Sequence, residues 1–266
     1  MKIIDVHAHI FPQKVEKSAV RAISEFYFDA PMAHRGTSEA LIASGSRIGV
    51  ERYLVFSAAT VPHQVESINT FIMGECAKHP EFMGAGTMHE DYPEPEAEIE
   101  RICRAGMRGI KLHPDFQHFN VDDPKMDRAY AALEERKMFI IVHTGDRRYD
   151  FSHPNRVANV AERFPGLRVI AAHFGGYCQW AVARERLLKL PNVYIDTSST
   201  LGMDGRGEAL KTLEMIDPTH VFFATDFPMW DHAEELERVK SLGLSDAMLE
   251  DVLYNNFDRF YAGLCR

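Results

Sequence analysis

Asp5-Val6-His7-Ala8-His9 closes a short apolar run near the start of the sequence. Side chains two apart in a strand point to the same face, so His7 and His9 share one side and both imidazoles can reach one cation. The other residues able to do chemistry recur in the same kind of place. Lys111 and His113 end the run 109–113, His143 falls at the end of 139–144, His173 ends 168–173, and Asp226 follows 221–225. Imidazole and carboxylate together suit Zn²⁺ and its first-row neighbours, and three or four protein ligands leave a position for water or substrate. A metal so held lowers the pKa of its water to about 7, which makes hydroxide available at neutral pH. Taken singly, each residue has a plainer explanation: a buried, hydrogen-bonded histidine, or an aspartate capping a helix. The joint pattern favours a metal site, because polar groups repeatedly terminate otherwise apolar strands.

The elements that must position these residues are eight apolar runs, 2–10, 52–57, 82–88, 109–113, 139–144, 168–173, 193–197 and 221–225. Most lack polar/apolar alternation, as strands covered on both faces do. Helical patterns lie between them: 64–78, 94–105, 125–137, 155–164, 179–190 and 207–216. Glu94–Ala105 carries its acids early and Arg101 and Arg104 late, in accord with the helix dipole. The segment 12–49 reads as helix, loop 31–36 and helix 37–48, and the tail from Ala233 as two helical patterns broken at Gly243. This alternation predicts an α/β fold: a single, distorted (β/α)8 barrel occupying residues 1–266, with extra helices after the first strand and at the C-terminus. A doubly wound open sheet is the rival, but no Gly-rich phosphate loop follows the first strand. In a barrel, the strand ends carrying the polar residues form the catalytic face.

Composition narrows the class. The 266 residues are 45% hydrophobic and 26% charged, which excludes a disordered or fibrous chain. A net charge of −9 argues against nucleic acid as partner, since phosphate recognition needs clustered Lys and Arg. No apolar stretch is long enough to span a bilayer, and Asp5 and His7 interrupt what a signal peptide would need. Cys76, Cys103, Cys178 and Cys265 are scattered without a C-x-x-C pair, so a reducing, cytoplasmic setting is expected.

In order, Asp5-Val6-His7-Ala8-His9, Gly109-Ile110-Lys111-Leu112-His113-Pro114, Val142-His143-Thr144-Gly145, Ala172-His173-Phe174-Gly175-Gly176 and Ala224-Thr225-Asp226-Phe227-Pro228 resemble the amidohydrolase superfamily. The similarity is greatest to its amidohydrolase-related branch, which includes aminocarboxymuconate-semialdehyde and resorcylate decarboxylases. Tyr254-Asn255-Asn256-Phe257-Asp258-Arg259-Phe260 resembles that branch's closing helix. The resemblance implies a distorted barrel with one divalent metal, usually zinc. It implies His7, His9, His143 and Asp226 as ligands, His173 as an unligated base, and Asp226 as a second proton carrier. Asp5 would anchor the strand beneath His7. Lys111 leaves the metal count open: its segment also resembles dihydroorotase-type members, whose carbamylated lysine bridges two metals. Otherwise Lys111 is a cation for a substrate carboxylate, with His113 lining the pocket beside it. Relatives of this kind suggest a homodimer.

Arg147 and Arg148 fall in the loop after His143, where guanidinium forks would bind a carboxylate-bearing substrate unless they pair with Asp146 or Asp150. Trp180 is expected to pack a helix onto the barrel, Cys178 carries no mark of a nucleophile, and His118, His153, His220 and His232 receive no role. Short loops suggest a small substrate. The leading expectation is a metal-dependent hydrolase that opens a small ester, amide or lactone with metal-activated water. The alternative is a metal-dependent, non-oxidative decarboxylase of an aromatic or unsaturated carboxylic acid, and the third a metal-binding barrel without turnover.

Overall fold

The computed structural model describes residues 2–264, so Cys265 lies outside the described residues. Strand β1 (Ile3–His9) pairs in parallel with β2 (Val50–Phe56), and β2 with β3 (Phe82–Gly84). After Ala85 the chain re-forms as β4 (Gly86–Thr87), followed by β5 (Gly109–Leu112), β6 (Phe139–Val142), β7 (Arg168–Ala171), β8 (Val193–Asp196) and β9 (Val221–Phe222), all parallel and in sequence order. Two hydrogen-bonded seams join these sheets. Ala85 N donates to the Val55 carbonyl, which makes β3 and β4 two halves of one barrel position. Val6 N donates to Phe223 O and His9 N to Phe227 O, which brings the last strand back to the first. The ring of strands is therefore the α/β barrel expected from the alternating runs.

Helices cover the outside: α1 (Glu16–Phe26) and α2 (Ser38–Ser46) after β1, α3 (Val65–Lys78), α4 (Pro95–Arg104), the single turn α5 (Pro114–Gln117), α6 (Asp127–Glu135), α7 (Pro154–Arg163), α8 (Trp180–Glu185) and α9 (Arg206–Leu213). The C-terminal part holds α10 (His232–Lys240), α11 (Asp246–Glu250) and α12 (Asn256–Ala262). Local chemistry sets the helix starts: Pro95 and Pro154 occupy first turns, and the Asp231 carboxylate accepts from Ala233 N and Glu234 N. His153 proves to be a cap, its Nδ1 accepting from Asn155 N. Among the described residues, no helix is long and apolar enough to cross a membrane.

Two apolar layers result. One lies between strands and helices. The other fills the barrel interior with Ile4, Val6, Phe56, Ile141 and Phe222, and α12 plugs its lower end with Phe257 and Phe260. The ladders are shorter at their C-terminal ends than the apolar runs suggest. Pairing stops at Leu112, Val142 and Ala171, so His113, His143 and His173 lie just beyond it, while Asp226 sits between the end of β9 at Phe222 and the bridge of Phe227 to Ala8. Freed from the ladder, the backbone of His173, Phe174, Ser199 and Asp226 adopts positive φ of 53° to 62°, a sparsely occupied region that gathers at functional sites.

Candidate metal centre and its cavity

At the upper end of the barrel the predicted residues meet. His7 Nε2 lies 3.3 Å from His9 Nε2, 3.3 Å from Asp226 Oδ1 and 3.0 Å from Lys111 Nζ. His9 Nε2 is 3.5 Å from the same Asp226 oxygen. On the facing side His143 Nδ1 approaches His173 Nε2 at 2.9 Å. His113 stacks flat on His143 with ring centroids 4.0 Å apart. A register irregularity between Asp5 and Ala8 does not part His7 from His9.

Two sets of donors emerge. Ligand atoms of His7, His173 and Asp226 all lie within 4.8 Å of one another, and so do those of His113, Asp115 and His143. His173 is thus drawn as close to His7 and Asp226 as a ligand would be, while His143 groups with His113. Asp115 and His143 each keep a buried atom, Oδ1 and Nε2, without a hydrogen-bond partner.

The donors have the chemistry that a divalent cation needs. The Nδ1 of His7 sits 2.9 Å from Asp196 Oδ2, so its proton belongs there and Nε2 is left with a lone pair. That lone pair faces a carboxylate oxygen, two acceptors that repel unless a cation stands by them, a place the Lys111 ammonium shares at 3.0 Å from Nε2. Burial holds His9, His113 and His143 well below the usual imidazole range, with Lys111 or a neighbouring histidine adding to it. Burial likewise pushes His173 down to about 4 and Lys111 down to about 8. Burial alone would raise Asp226, but the imidazoles of His7, His173 and His9 hold it at about 2. At neutral pH His9, His113, His143 and His173 are therefore neutral and Asp226 is ionised, the forms that ligate a metal.

Several supporting groups were not legible beforehand. Asp196, fully buried at the end of β8, touches His7 Nδ1, accepts from His173 N at 3.0 Å and from Ser198 Oγ at 2.5 Å. Ser198 Oγ in turn lies 2.9 Å from His173 Nδ1, and Ser199 Oγ donates to Asp226 Oδ2 at 2.6 Å. Asp196 ends an apolar run, the signal that picked out Asp226, and that rule would have found it. Tyr27, beyond α1, reaches His113 Nε2 at 3.2 Å and has no comparable sequence signal. Asp5 is the anchor expected: it accepts from His7 N, Thr225 N and Thr225 Oγ1, tying the first strand to the last. His232, given no role, is fully buried with Nε2 3.0 Å from Asp5 Oδ2, though off the line of a good hydrogen bond.

The arginines do not enter the site. Arg148 is clamped by Asp146 at 2.7 Å, donates to the Phe26 carbonyl and lies over the Phe26 ring, while Arg147 is exposed. Neither lines the cavity above the metal-binding donors, because the Asp146 partner holds Arg148 away from it. Trp180 behaves as a packing residue with one added contact, its Nε1 donating to His173 O at 3.0 Å. Cys76, Cys103 and Cys178 are free, and burial pushes the Cys76 and Cys178 thiols upward, so neither of these two is primed as a nucleophile. The cavity measures about 770 Å³, larger than short loops implied, because the long β1–β2 connection supplies α1 as a wall. His7, His9, Lys111, His143, His173 and Asp226 form its floor.

The chain matches the amidohydrolase family over residues 4–262 and belongs to it. Its fold is that of an uncharacterised TIM-barrel protein from Bordetella bronchiseptica, 18% identical with a TM-score of 0.79 over 98% of this chain and 99% of that one. It is also the fold of a 2,6-dihydroxybenzoate decarboxylase from Rhizobium, 15% identical, with a TM-score of 0.75 and the same shares covered. A 5-carboxyvanillate decarboxylase from Novosphingobium aromaticivorans, in complex with manganese and 4-hydroxy-3-methoxy-5-nitrobenzoic acid, is 16% identical with a TM-score of 0.75, over 98% and 96% of the two chains. Two of these three structural neighbours are decarboxylases, and the metal in the last is manganese.

Proposed function

We propose that this protein is a metal-dependent, non-oxidative decarboxylase of an aromatic or unsaturated carboxylic acid. The observation that carries the reading is the division of the cavity. Ionisable groups crowd the closed floor, with the Lys111 ammonium among them, while the walls above are mostly apolar. Such a site accepts an apolar body that presents one carboxylate downward. We assign His7, His9 and Asp226 as donors for one divalent cation with His143 as the further ligand, and His173, which also lies within ligand distance of His7 and Asp226, as the base.

A divalent cation bound there supplies Lewis-acid polarisation of the substrate's oxygen atoms. Lys111, nearly pinned by burial, holds the carboxylate against the floor. The apolar walls exclude water, which strengthens every charge interaction beneath them. In the reaction the carbon–carboxyl bond breaks, its electron pair remains on the carbon and takes up a proton, and CO₂ leaves. His173 Nε2, with its other nitrogen tied to Ser198, and the Asp226 carboxylate are the positions that hold and move that proton.

Manganese- or zinc-loaded protein should release CO₂ from a panel of hydroxylated aromatic acids while leaving small esters and lactones intact. Hydrolysis of the esters without CO₂ would restore the hydrolase reading. His143→Asn should lower metal content, whereas His173→Asn should keep the metal and lower turnover by about 10²–10⁴-fold. The reverse pattern, read by elemental analysis beside the assay, would exchange the two assignments.

A further inference from the structure

Helix α1 is strongly amphipathic, yet its apolar side chains join neither hydrophobic layer described above. Glu16 is its one buried residue, and Val15 at its start remains 40% exposed. An apolar helical stripe ordinarily packs on the core. Here it faces the cavity instead: Val15, Ser18, Ala19, Ala22 and Ile23 line it at helical spacing. Ser67, Ile68, Thr70 and Phe71 of α3 line the same cavity.

The helix is braced at both ends. Arg35 pairs with Glu16 at 3.0 Å near its start. At the other end the Phe26 ring stacks on Phe116 with centroids 4.2 Å apart, and Tyr27 reaches His113. This bracing spans the mouth and keeps a trough open beneath it. From Val15 to Ile23 the stripe runs about 12 Å at helical rise. Small side chains at Ser18, Ala19 and Ala22 leave that length unfilled. The volume of about 770 Å³ lies in the range that encloses drug-sized ligands and far exceeds a single ring with its carboxylate.

We infer that the substrate is an amphipathic acid whose carboxylate meets the floor and whose extended apolar substituent lies along the trough between α1 and α3. The inference rests on the decarboxylase reading for its headgroup and on the trough for its tail. An elongated apolar tail supplies the partner that the α1 stripe lacks. A polar substituent laid against Ala19, Ala22, Ile68 and Phe71 would find no hydrogen-bonding partner on those side chains, though Ser18, Ser67 and Thr70 also line the trough.

The test uses the manganese-loaded protein and a ladder of 4-alkylbenzoates from methyl to hexyl, with affinity read by calorimetry and CO₂ release followed in parallel. Affinity should rise by roughly two- to fourfold per methylene, as burial of each CH₂ predicts, until the trough is filled. Ala22→Phe, which fills the trough, should flatten that slope. A flat dependence on chain length in the unaltered protein overturns the inference, as does a slope that Ala22→Phe leaves intact. A change in oligomeric state on Ala22→Phe without a change in slope assigns the stripe to a second copy of the chain and equally overturns it. A rising, Ala22-sensitive slope without CO₂ from any acid sustains the tail site and removes the decarboxylase reading, so the two failures are distinct.

Discussion

The two ends of the barrel are built from the same strands to opposite effect. At the lower end, Phe139, Phe222, Phe257 and Phe260 meet in a cluster of rings, with Phe222 and Phe257 centroids 5.3 Å apart and Phe222 and Phe260 5.2 Å apart. At the upper end the same ring of strands holds imidazoles, a carboxylate and an ammonium at hydrogen-bond distance, all buried or nearly so. The lower end gains by excluding water from apolar area. The upper end bears the desolvation of several polar groups in one place, a cost that apolar packing elsewhere must offset. Stability should therefore respond chiefly to the lower end and chemistry to the upper.

The largest effect expected is at the mouth. Asp226→Asn keeps a side chain that tolerates the positive φ of 60° at this position while removing the negative charge. Activity should fall by about 10³-fold or more, with bound divalent metal reduced in elemental analysis and the thermal midpoint changed little. Full metal content in an inactive variant would reduce Asp226 to a proton carrier. A collapse of the fold would erase the division between the two ends. The mirror experiment is Phe257→Ala. Its ring is almost fully buried against Phe222, Phe260 and Tyr261, so urea denaturation should show a loss of about 3–5 kcal/mol, with kcat/KM nearly unchanged. A large loss of activity in the folded variant would mean that the lower end also governs the site.

The same contrast explains what could be read in advance. Apolar runs between helix signals give the barrel, because a strand covered on both faces announces itself by composition alone. His7, His9, His113, His143, His173 and Asp226 stand out against those runs as polar intrusions. Strand ends were less legible: residues such as His173 and Asp226 extend an apolar run in sequence but leave the ladder in space, where their left-handed backbone aims them into the site. Arg148 takes the alternative open to it, because Asp146, two residues away, holds it in a local ion pair that sequence alone weighs equally with a substrate contact. The breadth of the cavity was hidden as well. Whether the face of α1 packs on the core or borders a trough depends on where the segment 12–49 crosses the barrel, which its periodicity does not fix.

Glu235 is buried on α10, paired with Arg238 and with Oε2 left unpartnered. Burial pushes its carboxyl up to about 7, against the opposing pull of Arg238. An ordinary glutamate in the unfolded chain titrates near 4.3. Between these values the folded state holds more protons than the unfolded one, so this residue's contribution is present below pH of about 4.3 and is lost as pH rises to about 7. Glu235→Gln fixes the protonated shape and should remove that decline. The difference in unfolding free energy, wild type minus variant, should fall by about 2–3 kcal/mol between pH 4.5 and 7.5, in the range that such a shift implies. Parallel stability curves would show that Glu235 is already ionised throughout.

The smallest expected effect is the one that separates support from ligation at the mouth. Asp196 does not itself line the cavity, yet it orients His7 through Nδ1 and holds the backbone of His173 and Ser198. Burial opposes its ionisation, but His7 and His173 keep it well below the usual carboxylate range. The carboxylate therefore fixes the His7 tautomer with its lone pair on Nε2. Asp196→Asn retains the shape but offers an amide whose NH₂ cannot accept the Nδ1 proton, which favours the wrong tautomer in part of the population. Divalent-metal affinity should weaken by about 10–100-fold in a competition titration, and activity should recover when the metal is raised to saturation. Unaltered affinity with diminished activity at saturating metal would place Asp196 on the His173 side of the site, as a residue that positions the base rather than the ligand.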